Sequence, residues 1–215
     1  MIISMEKTRK SGTTSPRLSR EESQARTRER LIETATRLFV GQGYGGTSIR
    51  DIAEQAGYSQ GAFYSNFESK ESLLLEMLRR HMAGEAAHLA TLSERAGTSL
   101  ETVLDDLEAW ASTLDQDINW SMLSIELQMQ AQRSTTFAVA YRAVWQQHRD
   151  ALAVWLAQLF AAHGLQPPVG IEALAASFMA LAHGLALQRA STGTEVSGRM
   201  MVVLLRGLLA MARPA

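Results

Sequence analysis

Cysteine is absent from this 215-residue chain, and its absence excludes several kinds of chemistry. A disulfide scaffold, a thiolate metal site and a cysteine nucleophile all require a residue that the chain lacks. Proline is scarce too, with four residues, and 15 glycines are far below the content of collagen-like or low-complexity chains. The lack of cysteine fits a reducing compartment.

Long hydrophobic runs are also missing. The most apolar stretch, Met200 to Leu205, has six residues and lies between two arginines. A membrane span needs ~18 uninterrupted apolar residues. The polar, basic beginning of the chain lacks the apolar core of a signal peptide. We therefore expect a cytoplasmic protein with no membrane partner.

Charge is unevenly distributed although the net charge is only −1. Residues 1–81 hold 13 Lys and Arg against 10 Asp and Glu (net +3), and residues 82–215 hold 8 against 12 (net −4). Residues 1–20 are predicted to be a disordered basic arm. The arm could enter a DNA minor groove or contact phosphates, or it could be a solvated tail. Its basic residues are Lys7, Arg9, Lys10, Arg17 and Arg20.

Apolar residues recur three and four positions apart along the whole chain after residue 20, whereas no alternating strand pattern is visible. The fold is therefore predicted to be all-α with about nine helices. We expect the first helix to stop at Gly41 and Gly43, and later ones near 69–94, 99–115, 118–131, 135–163, 169–191 and 195–212.

Residues 48–67 have the pattern of a helix-turn-helix. Ser48 and Asp51 match a capping box, Gly57 suits a left-handed helix end, and Ser59 can cap a second short helix. Such a pair can place its second helix in a DNA major groove. An ordinary helical hairpin has the same pattern.

The amino-acid sequence of residues 24–85 closely resembles the DNA-binding domain of the TetR family. The resemblance implies a three-helix DNA-binding domain at 21–85 and a ligand-binding and dimerisation domain at 86–215. Four motifs at the family's spacing carry it: Ala35-x-x-Leu38-Phe39, Gly43-Tyr44-x-x-Thr47-Ser48-Ile49-Arg50-Asp51-Ile52-Ala53, Ala56-Gly57-Tyr58-Ser59-Gln60-Gly61-Ala62-Phe63-Tyr64-Ser65-Asn66-Phe67 and Ser69-Lys70-Glu71-x-Leu73-Leu74.

The same resemblance implies which residues contact DNA. Gln60 could pair with an adenine edge, Arg50 with a guanine, and Ala62 with a thymine methyl. Backbone phosphate contacts are implied at the start of the second and fourth helices and from a tyrosine. The full set is Thr47, Ser48, Arg50, Ser59, Gln60, Gly61, Ala62, Tyr64, Ser65, Asn66 and Lys70.

The C-terminal part is rich in tryptophan and methionine, residues that can line an adaptable ligand cavity or simply form core. The predicted pocket contains Trp110, Met122, Glu126, Met129, Phe137, Tyr141, Trp145, Phe178 and His183, with Trp120 and Trp155 in the same region. A weak metal-site candidate is His81, Glu85 and His88, which share a helix face that could equally be solvated. No resident cofactor is expected.

The last two helices, about 169–212, are apolar over much of their surface, which favours a homodimer through a four-helix bundle over a monomer with a buried core helix. The complete hypothesis is a repressor that binds a palindromic operator as a dimer and is released by a small hydrophobic or amphipathic effector. The alternative is a helix-turn-helix-derived protein-interaction module with little specific DNA affinity. Because the sequence has no phosphate-cradling glycine loop and no nucleophile elbow, we do not expect an enzyme.

Overall fold

Nine α-helices make up nearly all regular structure in the part of the chain described by the computed structural model, which covers residues 19–95, 97–114, 118–193 and 198–215. The all-α prediction is confirmed. The helices are α1 (Arg20–Gly46), α2 (Ile49–Ala56), α3 (Gln60–Tyr64), α4 (Lys70–Glu94), α5 (Leu100–Leu114), α6 (Ile118–Arg133), α7 (Thr135–Ala162), α8 (Ile171–Thr192) and α9 (Arg199–Met211).

Serine side chains begin the helices of the N-terminal domain. Ser48, Ser59 and Ser69 each accept a hydrogen bond from a backbone N–H in the first turn of α2, α3 and α4. The Ser48–Asp51 capping box is present with both hydrogen bonds, and Gly57 ends α2 at φ 81°. These local predictions are confirmed because short-range hydrogen bonds decide them.

Helix α1 is longer than its glycines indicated. It does not stop at Gly41 but continues to Gly46, with a kink at Gly43, where φ is 77° and ψ is 157°. Only glycine adopts this region readily, so Gly43 bends the helix. The turn after the kink is fixed from outside, because the Tyr44 N–H donates to the Glu126 carboxylate on α6 at 3.0 Å.

Two hydrophobic cores organise the chain. The first joins α1 to α4 and includes Leu123, Leu127 and Phe137 from α6 and α7. The second joins the end of α4 to α5, α7, α8 and α9 around Leu104, Leu156 and Phe160. Helix α4 takes part in both, so it links the DNA-binding domain to the body.

One short sheet was not predicted. Leu165–Gln166 (β1) pairs antiparallel with Arg213–Pro214 (β2), and the Ala215 N–H donates to the Gly164 carbonyl at 2.8 Å. Two residues per strand are too few to give an alternating pattern. The pair fixes the end of the chain against the α7–α8 connection.

Helix α8 is strongly apolar. Its stretch Ile171–Arg189 has the length and composition of a membrane span, and little of it is buried in the monomer. Such a helix equally suits a protein–protein interface, and polar residues such as Glu172, His183 and Gln188 interrupt its sequence.

Candidate DNA-binding interface and effector cavity

Helices α2 and α3 form a tight helix-turn-helix. The left-handed Gly57 reverses the chain, and the Tyr58 N–H donates to the Ala53 carbonyl at 2.8 Å. Ala53 and Phe63 are fully buried between the helices and α1. Burial of these two residues fixes which side of α3 faces outward.

The outward side of α3 carries most of the residues expected to read DNA. Gln60, Gly61 and Ser65 are exposed, and Tyr64 has 56% of its surface exposed. Ala62 is half-buried. The Asn66 side-chain amide donates to the Ala62 carbonyl at 2.8 Å, which ties it to the helix end. Gln60 and Tyr64 are therefore the long side chains best placed to reach a groove.

Thr47 does not fit its expected role as a phosphate donor. Its side chain is 1% exposed and its hydroxyl donates to the Gly43 carbonyl at 3.0 Å. The residue closes the kinked end of α1 instead. Ser48 remains exposed, although its side chain is engaged in the capping box with Asp51.

Lys70 and Arg50 each have a protein partner. The Lys70 ammonium donates to the Tyr44 and Thr47 carbonyls, both at 2.7 Å, and lies 4.1 Å from the centre of the Tyr44 ring. Burial lowers the pKa of Lys70, while the negative charge of Glu126 acts in the opposite direction. Arg50 is exposed and forms an i,i+4 ion pair with Glu54 at 2.7 Å, which a guanine would have to replace.

Arg20 is the one basic residue of the predicted arm that lies within the described residues. Arg20 is the first residue of α1, after the Ser19 cap, so it belongs to the helix. Lys7, Arg9, Lys10 and Arg17 lie outside the described residues.

Comparison with known proteins agrees with this geometry. Residues 31–77 match the sequence model of "Bacterial regulatory proteins, tetR family". These residues form a TetR-family DNA-binding domain. It is 29% identical over 177 residues to the HTH-type transcriptional repressor AcnR of Corynebacterium efficiens, covering 80% of this chain and 85% of AcnR. An uncharacterised regulator of Bacillus subtilis, YerO, is 52% identical over 48 residues, and this chain spans only 17% of its length.

The structural similarity to solved proteins extends over the C-terminal part of the chain. A transcriptional regulator from Pseudomonas aeruginosa superposes with a TM-score of 0.72 and 21% sequence identity, covering 91% of this chain and 92% of that one. At this identity the likeness establishes the fold. The C-terminal body of this chain therefore shares the helical fold of that regulator, as the DNA-binding domain does.

A cavity of about 120 Å³ lies inside that body, between α4, α5, α6, α7, α8 and α9. Four of the predicted pocket residues line it: Trp110, Trp145, Phe178 and His183. Its wall also contains residues outside the predicted pocket set: His81, Glu85, Trp120, Ser121, Ser124, His148 and Trp155. His148 could have been found from its spacing, because Trp145, His148, Leu152 and Trp155 follow one face of α7.

Five predicted pocket residues do not line this cavity. Met122 and Met129 are on the exposed side of α6, whereas Ser121 and Ser124 face inward. Phe137 is buried in the N-terminal core. Glu126 is hydrogen-bonded to α1, as described above. Tyr141 lines an adjoining, more open groove, and burial raises its pKa to about 12.

The three proposed metal ligands are not brought together. His88 stacks on Trp110 with ring centres 5.0 Å apart, away from the other two. Glu85 instead bridges two histidines. Its Oε1 lies 3.0 Å from the Nε2 of His81, and its Oε2 lies 3.0 Å from the Nε2 of His148. Within the described ranges no set of three His, Asp or Glu side chains is arranged to hold a metal ion.

Two imidazoles favour the ionised form of the half-buried carboxylate at this junction. Burial alone acts to raise the pKa of Glu85, but hydrogen bonds with His148 and His81 outweigh it and hold the pKa at about 2. His81 in turn stacks on Trp120 at 3.5 Å. The cavity wall thus combines aromatic rings with one negative charge.

The outer faces of α8 and α9 carry an unusual amount of apolar surface. On α9, Met200, Val203, Leu204 and Met211 are each at least 46% exposed and follow the i, i+3, i+4, i+11 positions of one face. The exposed positions of α8 include small residues such as Ala176, Ala180 and Gly184. Small residues there would allow another helix to approach closely.

Proposed function

We propose that this chain is a transcriptional repressor that binds a palindromic operator as a homodimer and leaves it when a small apolar or amphipathic effector binds the body. The helix-turn-helix, with its exposed Gln60 and Tyr64 beside the buried Phe63, carries the proposal. The exposed apolar face of α8 and α9 supports the dimer, and the internal cavity supports the effector site.

Specificity would come from the outer face of α3. The Gln60 amide can form a bidentate pair with adenine, and the exposed Tyr64 can donate to a phosphate. Gly61 is small and exposed, so it permits close approach of the helix to the bases. The half-sites would be one helical turn of DNA apart, about 34–36 Å, because two symmetric α3 helices must enter successive major grooves.

Dimerisation would cover the apolar stripe of α9 and the small residues of α8. A contiguous apolar surface of this kind is unusual on a monomer. A two-fold axis would pair the same patch on each chain and form a four-helix bundle.

Effector control would act through α4, which belongs to both cores, and through α6. Ser121 and Ser124 of α6 line the cavity, while Glu126 of the same helix binds the kink of α1. An effector that favours a different position of these helices changes the separation of the two α3 helices. DNA and effector then oppose each other with a coupling free energy of about 1–3 kcal/mol.

The test is fluorescence anisotropy on duplex DNA from upstream of the coding sequence, at two salt concentrations and against excess unrelated duplex. We expect competitor-resistant binding by two protomers, each of 23.6 kDa. Gln60→Ala should weaken specific binding by about 1–3 kcal/mol. Gln158→Ala, on the exposed side of α7, is the matched control and should bind like the wild type.

Two outcomes would contradict the proposal. Weak binding that is blind to sequence, for this DNA and for duplexes selected from random sequence, would favour the protein-interaction alternative. A monomeric mass in light scattering, unchanged by Val203→Glu on the α9 stripe, would contradict the dimer.

A further inference from the structure

The cavity described above contains polar atoms that the protein itself does not satisfy. His148 is 7% exposed and Trp155 is 2% exposed. Both line the cavity, and neither the Nδ1 of His148 nor the Nε1 of Trp155 has a hydrogen-bond partner among the described residues. Buried polar atoms are almost always paired, so each atom indicates a missing partner. The indole N–H of Trp155 can only donate and needs an acceptor such as a bound water, so the ligand group is inferred from the Nδ1 of His148.

The hydrogen-bond chain through Glu85 determines what His148 offers. An ionised carboxylate only accepts hydrogen bonds, so the Nε2 of His148, 3.0 Å from Glu85, carries the hydrogen. In the neutral ring the Nδ1 is then an acceptor.

Charge balance points in the same direction. Among the described residues that line the cavity, Glu85 is the one Asp, Glu, Lys or Arg side chain. The rest of the wall is largely aromatic and aliphatic, with Trp110, Trp120 and Trp145 among its rings. Aromatic faces attract cations, most strongly where water is excluded.

We propose that the effector of this cavity is a protonated amine with a small apolar body, whose N–H donates to the Nδ1 of His148. The proposal rests on the proposed function only in using the cavity as the effector site. A volume of about 120 Å³ is close to the ~150 Å³ that accommodates a benzene ring, so a single-ring ligand is the right size. The positive charge offsets Glu85 through the imidazole.

The test is calorimetric titration of the full chain, without DNA, with four probes of one shape. They are 2-phenylethylamine, its neutral counterpart 2-phenylethanol, the anion phenylacetate, and trimethyl(2-phenylethyl)ammonium, which keeps the charge but has no N–H. We expect the amine to bind about 10- to 100-fold more tightly than the alcohol, the range of a charged hydrogen bond. The trimethyl compound should bind more weakly than the amine.

Variants separate the charge from the shape of the cavity. Glu85→Gln should reduce amine affinity to about that of the alcohol, while 2-phenylethanol binding changes little and so reports an intact cavity. Glu172→Gln removes an exposed carboxylate from α8 and is the matched control. Its amine affinity should equal that of the wild type.

The proposal would be overturned if Glu85→Gln kept full amine affinity, or if no amine binding were measurable at millimolar concentration. Tightest binding by phenylacetate would also overturn it and would indicate Arg142 and Arg149 of the adjoining groove. Since these titrations contain no DNA, their failure is distinct from a failure of operator binding.

Discussion

Replacement of Glu126 tests the contact that ties the body of the molecule to the DNA-binding domain. Its carboxylate accepts the Tyr44 N–H at 3.0 Å across 82 residues of sequence. That N–H follows the kink at Gly43, where the helical hydrogen-bond pattern is interrupted. Glu126→Ala therefore leaves a partly buried backbone donor without its acceptor, and it removes a negative charge that attracts Lys70.

The expected loss follows from the type of bond. A hydrogen bond to a charged group contributes about 1.5–3 kcal/mol, and an orphaned buried donor costs a similar amount. For a chain of this length about 2 kcal/mol corresponds to a decrease in Tm of roughly 4–8 °C. Glu126→Gln keeps a carbonyl acceptor without the charge, so we expect about half that loss.

Two measurements check the reasoning. Thermal unfolding gives the decrease in Tm, and amide hydrogen exchange at Tyr44 reports the bond itself, since exchange should accelerate in Glu126→Ala. Glu33→Ala, which removes an exposed carboxylate from α1, serves as control and should change stability by less than about 0.5 kcal/mol. An unchanged Tm together with unchanged Tyr44 exchange in Glu126→Ala would refute the argument.

Three further predictions concern neighbouring features. Gly43→Ala should lower the free energy of unfolding by about 1–3 kcal/mol in denaturant titration, because φ is 77° and the new Cβ would lie 3.1 Å from Glu126 Oε1; full stability would contradict the strain. Lys70→Met removes two bonds to the Tyr44 and Thr47 carbonyls and should lower Tm and weaken DNA binding together, whereas a loss of DNA binding alone would indicate a pure phosphate contact. Because the pKa of Glu85 is lowered from 4.5 to about 2 by folding, its carboxylate should add to the free energy of unfolding at pH values above 4.5, and this contribution should disappear as the pH falls towards about 2. Glu85→Gln should flatten that part of a curve of stability against pH.

The local features of the N-terminal domain were predictable because neighbouring residues decide them. A serine that caps its own helix and a glycine that ends one leave signals within four residues, as at Ser48 and Gly57. Gly41 shows the limit of such signals, because the same residue type that ends a helix is tolerated inside one. The stop at Gly41 was therefore wrong, while the break at Gly43 was placed correctly.

The cavity was less predictable because its members come from helices far apart in the sequence. Composition identified a Trp-rich body, but it did not show which side of α6 would face inward, so Met122 and Met129 were wrongly included. The metal-site candidate grouped Glu85 with His81 and His88 of its own helix, whereas packing of α7 against α4 placed His148 beside Glu85. Contacts of this kind depend on how helices pack against each other, and the spacing of apolar residues within one helix carries no information about that packing.

Helix α6 connects the two proposed binding events through adjacent residues. Ser124 forms part of the cavity wall, and Glu126, two positions later, holds the α1 kink that precedes the helix-turn-helix. A hydrogen bond of 3.0 Å weakens steeply with displacement, so a small movement of α6 towards or away from a bound effector changes its strength. The bond contributes about 1.5–3 kcal/mol and a typical coupling between sites is about 1–3 kcal/mol. This single contact is therefore strong enough to carry most of the coupling, which means that Glu126→Ala should reduce effector-induced release of DNA more than it reduces the binding of either ligand alone.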